Sequence, residues 1–95
     1  MKDKHTDFTW DPLKEMLNLR KHGIDFVTAA EAFKDPDRKL FIDSKHSGIE
    51  PRYFCVGRVK NRILTVRFTY RAGKIRIIGA GYWRKGARYY EKEKN

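Results

Sequence analysis

Hydrophobic positions change their period partway along the chain. Up to Phe33 they recur every three or four residues, and beyond Lys39 they alternate. Phe8-Thr9-Trp10 reads as a short strand. Asp11 then caps a helix with Pro12 at its first position, and Gly23 stops it just after His22. Leu13, Met16, Leu17 and Arg20 fall on one face of that helix, with Lys14, Asn18 and Lys21 on another. Asp25 caps a second helix running to Phe33, whose expected buried stripe is Phe26, Ala29, Ala30 and Phe33. Asp35-Pro36-Asp37 ends it. A strand over 39–43 and a polar loop over 44–51 follow. Three strands then succeed one another over 52–60, 63–71 and 74–80, joined by tight turns at Asn61-Arg62 and Ala72-Gly73. In the middle one, Leu64, Val66, Phe68 and Tyr70 point one way, and Thr65, Arg67, Thr69 and Arg71 the other. A terminal helix, weakly amphipathic, is expected over 83–94. The layout is α+β: two N-terminal helices packed on an antiparallel sheet of about four strands, then a C-terminal helix. The length, 95 residues, suits a single domain over 1–95.

Charge sharpens this picture. Residues 1–51 carry 9 basic and 10 acidic side chains, whereas residues 52–95 carry 13 basic and 2 acidic. No carboxylate stands between Glu50 and Glu91, so nearly all of the net +10 belongs to the strand-rich half. A one-sided cationic surface suits a polyanionic partner, because fixed cations release the counterions condensed on a phosphate backbone. The expected location is a reducing cytoplasm. Cys55 is the lone cysteine, Met1 to Asp7 has no apolar stretch of the secretory kind, and no run is long enough to span a bilayer, so no membrane partner is expected.

Two groups of residues carry candidate chemistry. Pairing the last two strands puts Arg67, Arg71, Lys74 and Arg76 on one face, where guanidinium groups can grip a phosphate and stabilise charge that builds on it. The loop from Asp43 to Arg52 gathers His46, Glu50 and Arg52. Histidine is suited to proton transfer near neutrality. By residue type alone, however, this loop reads as ordinary surface with Glu50 paired to Arg52. Trp10 and His22 read as core and helix punctuation. Tyr82, Trp83, Tyr89 and Tyr90 interleave with Arg84, Lys85 and Arg88, a mixture able to stack on unpaired bases or to pack on the sheet. His5, His22, His46 and Cys55 lack zinc-site spacing, and Gly79-Ala80-Gly81 is no phosphate loop. The basic half has no carboxylates for magnesium, so any phosphoryl chemistry is expected to run without a metal or another cofactor.

Taken in order, these pieces resemble the BrnT-type toxins of bacterial type II toxin–antitoxin pairs. The resemblance runs from residue 8 to about 91. It rests on Phe8-Thr9-Trp10-Asp11-Pro12-Leu13-Lys14, Asn18-Leu19-Arg20-Lys21-His22-Gly23-Ile24, Phe26 with Ala29 to Phe33, and Asp35-Pro36. Asp43, His46-Ser47, Glu50, Arg52, Gly57-Arg58 and Arg71 to Ile78 complete it. It implies a RelE-like fold and a metal-independent ribonuclease that cleaves RNA. It also implies a BrnA-like antitoxin partner, a heterotetramer with that antitoxin, and contact with operator DNA only through it. Carried over by position, His46, Arg71 and Arg76 are the expected catalytic residues. Arg52 and Arg58 are expected to bind substrate, with Arg67 and Lys74 joining them from the strand pattern. Two departures stand out. Gly79-Ala80-Gly81 replaces the family's Ser-Ala-Arg, and Gly86-Ala87-Arg88 stands where a Glu-Arg pair opens the last helix. The alternative reading is therefore a weakened toxin that binds antitoxin and nucleic acid without cutting.

Overall fold

The first helix begins as its caps dictate. In the computed structural model, which describes residues 7–92, the Asp11 carboxylate accepts the Leu13 N–H at 2.9 Å, with Pro12 in the first turn. Gly23 closes the helix in the left-handed region at φ 70°. Strand β1 (Phe8–Trp10) precedes this helix, α1 (Pro12–His22), and α2 (Phe26–Glu31) follows it, capped by Asp25 and prolonged by a 3-10 turn, Ala32–Lys34. Then come β2 (Lys39–Ile42), a 3-10 turn at Ser44–His46, β3 (Tyr53–Val59), β4 (Arg62–Arg71), β5 (Lys74–Gly81) and α3 (Arg84–Lys92). The end expected for the last helix, Lys94, lies outside the described residues. So do Met1 to Thr6.

The sheet has five strands in the order β1-β5-β4-β3-β2, and it is mixed. The expectation of about four antiparallel strands omits β1, which pairs in parallel with β5, Trp10 lying opposite Ile77. One of the two tight turns is shifted. Lys60 and Asn61 both adopt positive φ, one residue earlier than the expected Asn61-Arg62, while Ala72-Gly73 turns where expected.

One face of the sheet is the core. Leu64, Val66 and Phe68 of β4 lie there with Cys55, Ile75, Ile77 and Ala80, covered by Ile24, Phe26, Ala29 and Ala32. Gly57 lets the 3-10 turn approach, since a Cβ there would press on the Ala32 backbone, with its carbonyl carbon at 3.1 Å. Burial pushes the Cys55 thiol up to about 12, so it packs as an apolar group and is no nucleophile.

Helix α1 turns its polar face inward. Leu13, Met16, Leu17 and Leu19 are exposed, and the only buried α1 residue is Asn18. The reason lies in β5. Its partner β1 stops opposite Ile77, which leaves the edge of Ala80 away from β4 without a strand. Asn18 takes that place: its amide donates to Ala80 O and Ile24 O at 3.0 Å each, and its carbonyl accepts Ala80 N–H at 3.1 Å. An amide satisfies such an edge and a leucine cannot. Helix α3 is likewise more one-sided than expected. Gly86 and Tyr90 are buried, while Arg84, Lys85 and Arg88 face outward.

Two predictions follow from these contacts. Replacing Asn18 by Ala strands buried backbone groups at about 1–3 kcal/mol each, so urea denaturation should show a loss of roughly 3 kcal/mol. A loss below about 1 kcal/mol contradicts the clamp. The second concerns Asp35. Burial opposes its ionisation, yet the Arg58 N–H and the Tyr90 hydroxyl, both at 2.7 Å, hold its carboxyl below the usual range. A depressed carboxyl contributes stability that is complete above about pH 4 and lost as pH falls through the folded-state value. Asp35→Asn should lower the Tm at pH 6 and flatten its fall between pH 4 and pH 2.

Candidate nucleic-acid interface

The second face of the sheet carries the cations, and a bulge in β5 decides which of them meet. Arg67 lies opposite Gly79, but its neighbour Phe68 lies opposite Ile77, so Ile78 is the extra residue. Directly paired residues share a face. The result is three rows across this face: Arg71 with Lys74, Thr69 with Arg76, and Arg67 with Phe54 and Gly79. Beyond them, Thr65 pairs with Gly81 and Val56 under α3. Strict alternation would have given Ile78 and Ala80 this face; the bulge gives it Gly79 and Gly81 instead.

Arg71, Arg52 and Arg76 gather around one carboxylate. Glu50 accepts from Arg71 at 3.0, 3.1 and 3.2 Å. The hydrogen bonds from Arg71 chiefly hold Glu50 below the usual carboxylate range; burial works against them, and the charges of Arg71, Arg52 and Arg76 add to the effect. The same bonds raise Arg71 further. The expected partner, Arg52, is therefore not the one that Glu50 grips. The strand end is tied down by Thr69, whose hydroxyl donates to Pro51 O at 2.6 Å.

His46 is held from behind. Its Nδ1 lies 3.0 Å from Asp43 Oδ2 and 3.2 Å from Oδ1, and Asp43 is buried. That contact orients the ring and turns Nε2 outward. The 3-10 turn Ser44–His46 creates the contact, and Ser47 Oγ fixes the turn by donating to Asp43 O and accepting the Arg52 N–H. His46 borders a cavity of about 510 Å³ between the sheet and α3. Phe41, Phe54, Trp83 and Tyr89 form its apolar walls, and Arg67 and Lys85 also line it. The Arg67 Nε is buried with no hydrogen-bond partner among the described residues. An unpaired buried donor costs about 1–3 kcal/mol, and an anionic oxygen at this spot would satisfy it.

Of the seven expected residues, His46 and Arg67 line the cavity, and Arg52, Arg71 and Arg76 form the cluster beside it. Arg67 and Thr69 are two residues apart on β4, about 7 Å. Lys74 sits at the hairpin rim. Arg58 does not join: it lies opposite Ile63, toward the other end of β4 from Arg71. There it covers the Tyr90 ring at 5.7 Å and borders a separate hollow with Glu31 and Asp35. Its N–H serves Asp35, which places it in the fold's scaffolding. Sequence reasoning gave no role to Asp43, Phe41 or Phe54, though it named Trp83 and Tyr89 as able to stack on unpaired bases or pack on the sheet. The Asp43-x-x-His46 spacing is a signal only once the loop is known to turn helically. Among the described residues no group of three His, Cys, Asp or Glu side chains is placed to hold a metal ion.

Helix α3 reaches this face through two glycines. A Cβ at Gly86 would collide with the Thr65 hydroxyl, and one at Gly81 would come within 2.6 Å of the Trp83 ring. Trp83 thus fills the space that a long side chain at 81 would need.

A family model described as ribonuclease toxin, BrnT, of type II toxin-antitoxin system matches residues 10–86. That span contains every residue of the cavity and the cluster except Tyr89. No curated protein matches the chain.

Inserting an arginine at Gly81 should displace Trp83 and destabilise the fold by about 1–2 kcal/mol, a typical overpacking cost. Trp83→Ala in the same chain should recover part of that loss in a denaturation cycle. Strictly additive effects would show that the two positions do not compete.

Proposed function

The chain belongs to the BrnT family, the ribonuclease toxins of type II toxin–antitoxin systems. From this premise we propose that it is a metal-independent endoribonuclease that cleaves RNA, inhibits translation, and is neutralised by a BrnA-like antitoxin in a heterotetramer. Operator DNA is contacted through the antitoxin alone, and the site of action is the cytoplasm. One observation carries the catalytic reading: a histidine oriented by a buried carboxylate, at the mouth of a cavity containing an unpaired guanidinium N–H and beside three more guanidinium groups.

In this mechanism His46 Nε2 takes the proton from a ribose 2′-hydroxyl. The O2′–P bond forms, the P–O5′ bond breaks, and the departing O5′ takes a proton from water. The products are a 2′,3′-cyclic phosphate and a 5′-hydroxyl. Arg76 and Arg67 hold the phosphate oxygens, and Arg71 joins them once a phosphate competes for it with Glu50. Cations fixed on neighbouring strands stabilise the extra charge of the five-coordinate transition state without reorganising. Asp43 acts through His46 as a positioning residue, keeping the ring in the tautomer that accepts at Nε2. The aromatic walls suit a splayed base, since unpaired bases stack on such rings. Arg52 holds the strand beside the scissile bond.

Trp83 over Gly81 favours a second reading, in which the chain binds its antitoxin and RNA without cutting. Cleavage in EDTA separates the two. On the first reading the purified chain cuts RNA in EDTA, and expression without antitoxin arrests growth. His46→Ala and Arg76→Ala should each lower cleavage by about 10²-fold or more. Asp43→Asn should reduce kcat more than it changes KM. Salt-dependent RNA binding with no product selects the second reading.

A further inference from the structure

A second cavity, about 220 Å³, opens on the far side of Trp83 and Arg67, where α1 leans over β5. Its rim carries Lys14, Lys21 and His22 from α1, and Gly79 borders it from the sheet. Trp83 and Arg67 line both cavities, so the two adjoin across an indole and a guanidinium. We infer that this second cavity binds the phosphodiester backbone of the nucleotide next to the scissile one, so that single-stranded RNA runs across Trp83 from His46 to α1. This rests on the ribonuclease reading and extends it to the path of the substrate.

Helix geometry places the cations. Positions 14, 18 and 21 share a side of α1, and Asn18 ties that side to Ala80. Lys14 and Lys21 therefore stand on either side of a fixed point, about 10 Å apart along the helix. The nearest α1 carboxylate, Glu15, is occupied elsewhere: it accepts the Phe26 N–H at 2.9 Å. Among the described residues no carboxylate borders the cavity. On the sheet side the bulge places Gly79 beside Ile78 and Arg67, and Gly79 brings no side chain into the cavity. His22 meets Trp83 edge-on, with ring centroids 5.4 Å apart at 84°, and this steadies the ring as a stacking surface between the two cavities. Arg67, whose Nε lacks a partner, stands where a phosphate oxygen from either cavity can reach it.

The test measures binding of a mixed-sequence, fully 2′-O-methylated 12-mer RNA, which lacks the attacking hydroxyl, to the whole chain over a salt series. Removing two phosphate contacts from a single strand lowers the slope of log K against log salt by about 1.4, or roughly 0.7 per contact. The same term weakens binding about 25-fold at 0.1 M salt. Lys14→Ala/Lys21→Ala should show both changes. Lys34→Ala/Lys60→Ala removes the same charge from the hollow beside Asp35 and should show much smaller ones. Matching thermal melts establish that each variant is folded. Equal effects of the two pairs overturn the inference while leaving the ribonuclease reading intact. If the unmodified chain fails both to bind this RNA and to cut ordinary RNA, both readings fall.

Discussion

One extra residue in β5, Ile78, decides which side chains meet on the cationic face. Without the bulge, strict alternation would carry Ile78 and Ala80 onto that face after Arg76. With it, Arg76 keeps its place beside Thr69, and Gly79 and Gly81 come to lie beside Arg67 and Thr65. The space over these glycines is what Trp83 occupies and what the cavities open into. On the other side of the strand the same shift turns Ala80 toward the core and leaves its backbone for Asn18 to satisfy. A single register change thus links the core, the anchoring of α1 and the chemistry of the open face.

That face pairs like charges across neighbouring strands, an arrangement that destabilises a sheet. The protein offsets this with one carboxylate, Glu50, brought in by the loop after β2. A structural ion pair and a latent phosphate site then share the same guanidinium groups. Exposed ion pairs contribute little to stability, so exchanging Glu50 for a phosphate on Arg71 costs the fold little. His46 comes from the same loop, and the loop's own hydrogen bonds at Asp43, Ser47 and Arg52 fix it in place.

Much of the fold was legible because local rules and tertiary packing agree. The caps at Asp11, Asp25 and Gly23, the alternation in β4 and the Ala72-Gly73 turn stand where their chemistry puts them. The reading was silent where a distant backbone group outweighed the local pattern. The apolar stripe of α1 faces outward because Ala80, far along the chain, needs the Asn18 amide. Strand β1 was visible, but three residues do not announce a parallel partner. At the candidate site, periodicity alone put Arg67, Arg71, Lys74 and Arg76 on a common face, and the register agrees. It had no means of showing that Arg58 is drawn off to Tyr90 and Asp35, or that a polar loop folds back so that Glu50 meets Arg71.

The most direct measurement concerns the ends left on cut RNA. A strand cleaved by the purified chain in the presence of EDTA should carry a 2′,3′-cyclic phosphate on one fragment and a 5′-hydroxyl on the other, and a single 2′-deoxy substitution at the cut position should block that cut alone. Fragments ending in a 3′-hydroxyl and a 5′-phosphate, or cleavage that persists at the deoxy position, would contradict attack by the ribose hydroxyl and with it the role assigned to His46 and its arginines.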